Sequence, residues 1–206
     1  MNFKCLLSDF DSNCYLIYNN KDVYIIDPSC SVAYMKKYID EEYTVKGILI
    51  THAHIDHVYY LEEVQKYYDC KVYMNKNGID LLKDSYKNCS KLFGFDKIFN
   101  VDDIKFVNDN DMIENFIKVI YTPGHTIDSI CFAINDLLFT GDTLFNNSVG
   151  RTDFYSGNLK TLSDSIKKIY SKRINYQIYP GHGEMSDLES ELISNYYVKK
   201  MMSSKN

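Results

Sequence analysis

No stretch of this chain approaches the roughly eighteen uncharged apolar residues that a membrane-spanning helix needs, so no membrane partner is expected. The opening run Met-Asn-Phe-Lys-Cys-Leu-Leu-Ser-Asp has too few apolar residues before its first acid to read as a secretory signal, and a cytoplasmic location is expected. No low-complexity segment suggests a linker, and the 206 residues suit one domain or two tightly fused halves, read here as a single domain, 1–206. The six cysteines include no Cys-x-x-Cys pair, which removes the simplest structural-zinc and dithiol motifs and leaves free thiols as the expectation. The net charge is -5 and the lysines are scattered, so no basic stripe exists to track a phosphate backbone and no nucleic-acid partner is expected. What remains, 45% hydrophobic and 25% charged residues, is the composition of an ordinary folded protein.

Apolar, β-branched runs at Tyr15–Tyr18 and Val23–Ile26 flank the turn formers Asn19, Asn20, Lys21 and Asp22 and predict a hairpin. Asp27-Pro28-Ser29 supplies a stop and a cap, and the spacing of Tyr34, Tyr38 and Ile39 predicts a helix reaching about Glu42. Gly47–Ile50 predicts a strand buried on both sides. Val58, Leu61, Val64 and Tyr68 predict a helix, and Lys71–Met74 a strand. Between residues 75 and 114 little is readable beyond a short helix over Ile79–Lys83 and a long loop. Strands follow at Ile117–Tyr121, Ile130–Ile134 and Leu137–Thr140, the last two joined by Asn135-Asp136. Leu159, Leu162, Ile166 and Ile169 mark an amphipathic helix, Tyr176–Tyr179 a strand, and Leu188, Leu192 and Tyr196 a carboxy-terminal helix. Two similar successions result, one ending near Met74 and one beginning near Phe116. They predict an α/β fold of two sheets with helices outside.

Histidine is scarce, and its placement is informative. All five stand where a polar loop follows an apolar strand: His52, His54 and His57 after Ile48–Ile50, His125 after Val119–Tyr121, and His182 after Tyr176–Tyr179. Strand ends along one rim are where distant side chains converge, as a metal site requires. In an extended Thr51-His52-Ala53-His54 segment the two imidazoles share a side and suit one ion, while Asp56 and His57 point elsewhere and suit a second. Thr122-Pro123-Gly124-His125 and Pro180-Gly181-His182 each offer an imidazole from a proline–glycine turn. Gly141-Asp142-Thr143 offers a carboxylate able to bridge both ions. A lone histidine at a strand end is more often structural, but all five together with Asp56 and Asp142, and no histidine left over, favour chemistry.

His52-x-His54-x-Asp56-His57, followed by His125, Asp142 and His182, resembles the signature of the metallo-β-lactamase superfamily. The resemblance implies a four-layer αββα sandwich of two mixed β-sheets with helices on both outer faces. It implies one metal on His52, His54 and His125, a second on Asp56, His57 and His182, and Asp142 as the bridge. The cofactors implied are two divalent ions, zinc first, with iron or manganese as alternatives. Asp56 and Asp142 are the expected catalytic pair, orienting water as well as binding metal. Asp27 resembles the family's first aspartate, behind the ligands, with capping before Ser29 as the plain alternative.

The run Gly150-Arg151-Thr152-Asp153-Phe154, together with Gly141–Phe145, is similar to the small glyoxalase II-like branch, which implies a thioester hydrolase resembling hydroxyacylglutathione hydrolase. The rival is the mononuclear iron persulfide dioxygenase branch, which shares that run, whereas Pro180-Gly181-His182-Gly183-Glu184 looks like the hydrolase form. A lactonase, a phosphodiesterase and a catalytically silent metal-binding module complete the alternatives. The expected partner is a small-molecule thioester, and the chain is expected as a monomer or homodimer. Arg151 and Asp153 are expected to pair, with Phe145, Phe154 and Tyr155 as candidate pocket residues. Asp128 stands where family members commonly carry glycine.

Overall fold

Continuous rather than alternating apolar runs demand a sheet with both faces covered, and the computed structural model, which describes residues 2–204, contains two such sheets. The chain divides into two compact units between Phe106 and Val107. Among the described residues no helix is long and apolar enough to cross a membrane. All six cysteines are free thiols, and five of them are buried.

The first unit orders its strands as they occur in sequence: β1 (Asn2–Leu7), β2 (Asn13–Asn19), β3 (Asp22–Ile26), β4 (Thr44–Leu49), β5 (Lys71–Met74) and β6 (Ile104–Phe106). β1, β2 and β3 are antiparallel neighbours, and β3 through β6 run parallel. Asn20 turns the predicted hairpin in a left-handed conformation, which asparagine tolerates. Leu16, Ile25, Ile48 and Val72 stand in register across four strands, buried in one core cluster with Met35, Val58, Leu61 and Val64. The alternate residues Tyr15, Ile17, Tyr24, Ile26 and Leu49 are buried too. A side chain at Gly47 would run into the Tyr73 ring, so this strand needs its glycine.

Helices in this unit are shorter than the spacing predicts. The helix expected to reach Glu42 is only α1 (Val32–Met35), and its cap is Ser31, not Ser29. The Asp40 carboxylate accepts from Glu42 N–H, a local turn that competes with helix, and acids at a helix carboxy-terminus oppose its dipole. The helix expected over Val58–Tyr68 is split into α2 (Ile55–Val58) and α3 (Leu61–Tyr68). The Tyr60 N–H donates to the Pro28 carbonyl at the break. The short helix expected over Ile79–Lys83 forms as α4 (Gly78–Leu82).

The second unit carries β7 (Met112–Ile113), β8 (Ile117–Tyr121), β9 (Ile130–Ile134), β10 (Leu137–Gly141), a small ribbon of β11 (Leu144–Phe145) and β12 (Ser148–Val149), β13 (Gln177–Pro180) and β14 (Ser186–Asp187). Its sheet runs β14-β13-β10-β9-β8-β7, with β10 and β13 parallel and the other pairs antiparallel. α5 (Leu159–Ser171) is capped by Asn158 and places Leu162, Ile166 and Ile169 against Ile120, Cys131, Leu138 and Ile178.

Instead of one carboxy-terminal helix there are two, α6 (Leu188–Ser194) and α7 (Tyr196–Ser203). Asn195 separates them: its backbone is extended and its side-chain oxygen accepts from Tyr197 and Val198 N–H. The face expected on Leu188, Leu192 and Tyr196 is therefore not the buried one. Leu188, Val198 and Met201 are buried, while Leu192 and Tyr196 are exposed.

Candidate metal centre

β3 and β4 are parallel, so Asp27 and Thr51, which follow them, emerge at the same edge of the first sheet. Asp27 adopts a left-handed backbone, and its N–H donates to the Leu49 carbonyl. Its buried carboxylate accepts three hydrogen bonds: Thr51 N–H at 2.8 Å, the Thr51 hydroxyl at 2.6 Å and His57 Nδ1–H at 2.9 Å. With its proton given to Asp27, the Thr51 oxygen is left to accept from His52 Nδ1–H at 3.1 Å. One carboxylate thus fixes the ring orientation of two histidines and directs both Nε2 lone pairs outward for a ligand.

His52, His54 and His57 are buried, with the His52 ring 4.8 Å from that of His54 and 4.3 Å from that of His57. Asp56 Oδ2 lies 3.7 Å from His57 Nε2, and the Asp56 carbonyl accepts from the Ser12 hydroxyl at 2.6 Å. Ligand atoms of Asp27, His52 and His57 also fall within 4.8 Å of one another. Both Asp27 oxygens are already engaged by Thr51 and His57, so Asp27 positions ligands rather than serving as one. It does not cap α1.

In the second unit β8, β10 and β13 point the same way, and their following loops bring His125, Asp142 and His182 to one edge. His125 Nδ1–H donates to the Arg151 carbonyl at 2.7 Å, which leaves its Nε2 3.5 Å from Asp142 Oδ2. His182 Nε2 lies 3.8 Å from the same oxygen, and the Phe145 ring packs 6.2 Å from the His182 ring. Two glycines permit this. Gly124 has φ +138°, and a side chain there would strike the Leu162 backbone; one at Gly150 would strike the Asp142 carbonyl oxygen. Asp128 is buried and is not in the left-handed region, so its turn does not depend on glycine.

Arg151 and Asp153 form the expected pair, bidentate at 2.7 Å on each arm and exposed, with the guanidinium 3.8 Å over the Phe154 ring. Arg151 holds the Asp153 carboxyl down at about 2. Tyr155 is exposed.

Each unit therefore gathers the ligand candidates predicted from its own segment: His52, His54, Asp56 and His57 in the first, His125, Asp142 and His182 in the second. Neutral imidazoles with one nitrogen committed to the protein, beside carboxylates, are a donor set that fits divalent zinc, iron or manganese. Sequence reasoning missed Thr51 as the relay between Asp27 and His52, Ser12 behind Asp56, and the Arg151 carbonyl behind His125. Only Gly150, inside a motif already singled out, carried a readable signal for the last of these.

The chain is similar to known proteins over most of its length. The sequence model of the metallo-beta-lactamase superfamily matches residues 7–183. The probable metallo-hydrolase YqgX of Bacillus subtilis (strain 168) is 31% identical over 91% of this chain and 92% of its own length. Hydroxyacylglutathione hydrolase GloC of Haemophilus influenzae is 30% identical over 92% of this chain and 93% of its own. Among solved structures, the BLEG-1 B3 metallo-beta-lactamase superposes with a TM-score of 0.87 at 28% identity, covering 96% of this chain and 99% of that one.

Proposed function

Because this chain belongs to the metallo-β-lactamase superfamily, with its fold of two mixed sheets and helices, we propose that it is a binuclear metal-dependent hydrolase cleaving the thioester of an acylated small thiol. The observation that carries the reading is the commitment of Nδ1 in His52, His57 and His125 to protein acceptors, which aims three Nε2 lone pairs at ligands. In this reading His52, His54 and His125 hold one ion, Asp56, His57 and His182 hold the other, and Asp142 contributes to both. Zinc is the first choice, ahead of iron or manganese. When bound, the pair supplies a water acidified toward a pKa of about 7 and Lewis-acid polarisation of the acyl carbonyl.

The protein's own groups do the rest. Asp56 and Asp142 orient the attacking water through their carboxylate oxygens, and Asp27 and the Arg151 carbonyl keep the imidazoles from turning. Water oxygen adds to the acyl carbon, the carbon–sulfur bond breaks, and a carboxylic acid and a free thiol result. The thioester is favoured over other acyl or phosphoryl centres by the Gly150–Phe154 run and by the likeness to GloC. A small-molecule substrate, no nucleic-acid partner, a monomer or homodimer, and a cytoplasmic setting belong to the same proposal.

The test is metal analysis coupled to a substrate panel. About two transition-metal ions per chain and release of thiol from S-D-lactoylglutathione or a related thioester are expected. Oxygen uptake with a persulfide and no thiol release would replace the reading with a dioxygenase. Turnover confined to a β-lactam, lactone or phosphodiester would replace the substrate class, and an inert metal-loaded protein would leave a binding module.

A further inference from the structure

The segment from Asn88 to Lys97 in the first unit holds none of the ligand candidates, yet it grips the helix that carries two of them. α2 has four residues, too few to persist alone. Its first N–H, from Ile55, donates to the Asn88 carbonyl at 2.8 Å, and Lys97 Nζ donates to the Tyr59 carbonyl at its far end at 2.6 Å. Asp56 and His57 lie between those two anchors. The base of the segment is locked on itself. Asn88 Nδ2 and the Ser90 hydroxyl both donate to the Lys97 carbonyl, and Phe95 N–H donates to the Ser90 carbonyl.

The tip, by contrast, is apolar and open: Leu92 is 60% exposed, Phe93 52% and Phe95 38%, with Gly94 in the left-handed region between them. Phe93 and Phe95 meet Phe10 edge-on at 6.1 and 6.3 Å. Tyr59 closes the group, 5.0 Å from Phe10 and 5.5 Å from Phe95, under the Lys97 ammonium at 4.1 Å. Phe10 is tied to the ligand loop as well, because Ser12, two residues on, donates to the Asp56 carbonyl. Exposed Phe93 and Phe95, joined to half-buried Phe10 and Tyr59, leave apolar ring surface open to a ligand.

We infer that Phe10, Tyr59, Phe93 and Phe95 form a platform for an apolar alkyl or aryl substituent of the substrate, so that the enzyme prefers acyl-thiols bearing such a group over small polar ones. The inference rests on the thioester reading. Its occupant is a substrate because Tyr59 directly follows α2, which carries Asp56 and His57, and Ser12, two residues after Phe10, holds the Asp56 carbonyl; the substituent can lie on the acyl or the thiol side of the ester.

Two substrate series on the metal-loaded enzyme separate those sides: acetyl to decanoyl esters of N-acetylcysteamine, and acetyl esters of ethyl to decyl thiols. One series should show kcat/KM rising with chain length, by at most about fourfold per buried methylene. In Phe93→Ala/Phe95→Ala, with metal content equal to wild type, the long-to-short ratio should fall at least about tenfold, and Phe93→Leu/Phe95→Leu should restore most of it. Equal ratios in all three proteins, or a flat wild-type series, would overturn the platform. So would a sedimentation shift from dimer to monomer in the alanine variant with the ratio intact, which would assign the patch to a second copy. Binding of the octyl thioether of N-acetylcysteamine, by calorimetry, keeps the two claims apart. Binding that depends on Phe93 and Phe95 without any thioester cleavage sustains the platform and rejects the thioester reading, whereas no binding rejects the platform itself.

Discussion

The two sets of ligand candidates are held by different means. In the first unit a single buried side chain, Asp27, governs His57 directly and His52 through Thr51. In the second, a main-chain carbonyl governs His125, and His182 keeps 30% of its side chain exposed, against none for His57. Side-chain control concentrates several ligands on one mutable residue. Main-chain control survives substitution of the residue that supplies it and fails only when the loop itself moves. The first half is therefore rigid and vulnerable at one point, and the second is tolerant of side-chain change but sensitive to backbone crowding.

That contrast orders the expected effects of substitution. Asp142→Asn removes a charge from the group proposed to serve both ions, and should lower metal affinity and kcat by more than the ~10–100-fold typical of a residue behind the ligands. Metal titration and initial rates check it. Asp27→Ala should fall within that ~10–100-fold range for metal affinity, and it should also destabilise the metal-free protein by about 1–3 kcal/mol, since buried donors on Thr51 and His57 lose their acceptor. Urea unfolding of the metal-free protein measures the second part. An Asp27→Ala variant with wild-type metal affinity would break the contrast.

Gly150→Ala should cost about 1–3 kcal/mol through crowding against the Asp142 carbonyl, seen as a lower Tm. Arg151→Ala should change metal affinity by less than about threefold, because the carbonyl behind His125 remains. The same variant should let the Asp153 carboxyl rise from about 2 toward its ordinary 3.8, followed by carbon-13 NMR. A carboxyl depressed in the folded state stabilises above the ordinary carboxylate range and loses that contribution as pH falls toward about 2. Both partners are exposed, so the change in stability should be the smallest effect of the set.

Legibility in the sequence followed burial. β2 through β5, β8 through β10 and β13 are readable because each carries a buried apolar run, such as Ile48 and Leu49 or Ile130–Ile134. β1 is not, because it pairs only with β2 and buries Leu6 alone, and β6 has no fully buried residue. Helix ends were misplaced where a single polar contact decided them: the distant Pro28 carbonyl takes the Tyr60 N–H between α2 and α3, and the local cap by Asn195 splits α6 from α7. The ligand candidates were readable as rare residue types at strand ends. Of their supports, Asp27 is legible only through the resemblance, since it meets His57 thirty residues away, and a main-chain acceptor such as Arg151 leaves no mark on residue type.

The central proposal is that His52, His54, Asp56, His57, His125, Asp142 and His182 hold two cations. Titration of metal-free protein with zinc, followed by calorimetry and by absorbance with cobalt, tests it most directly. Wild type should take up close to two ions per chain, and removing one ligand from either unit, by His54→Ala or His182→Ala, should weaken the uptake. Uptake of a single ion that is indifferent to His182→Ala, or no uptake at all by the folded protein, would contradict it.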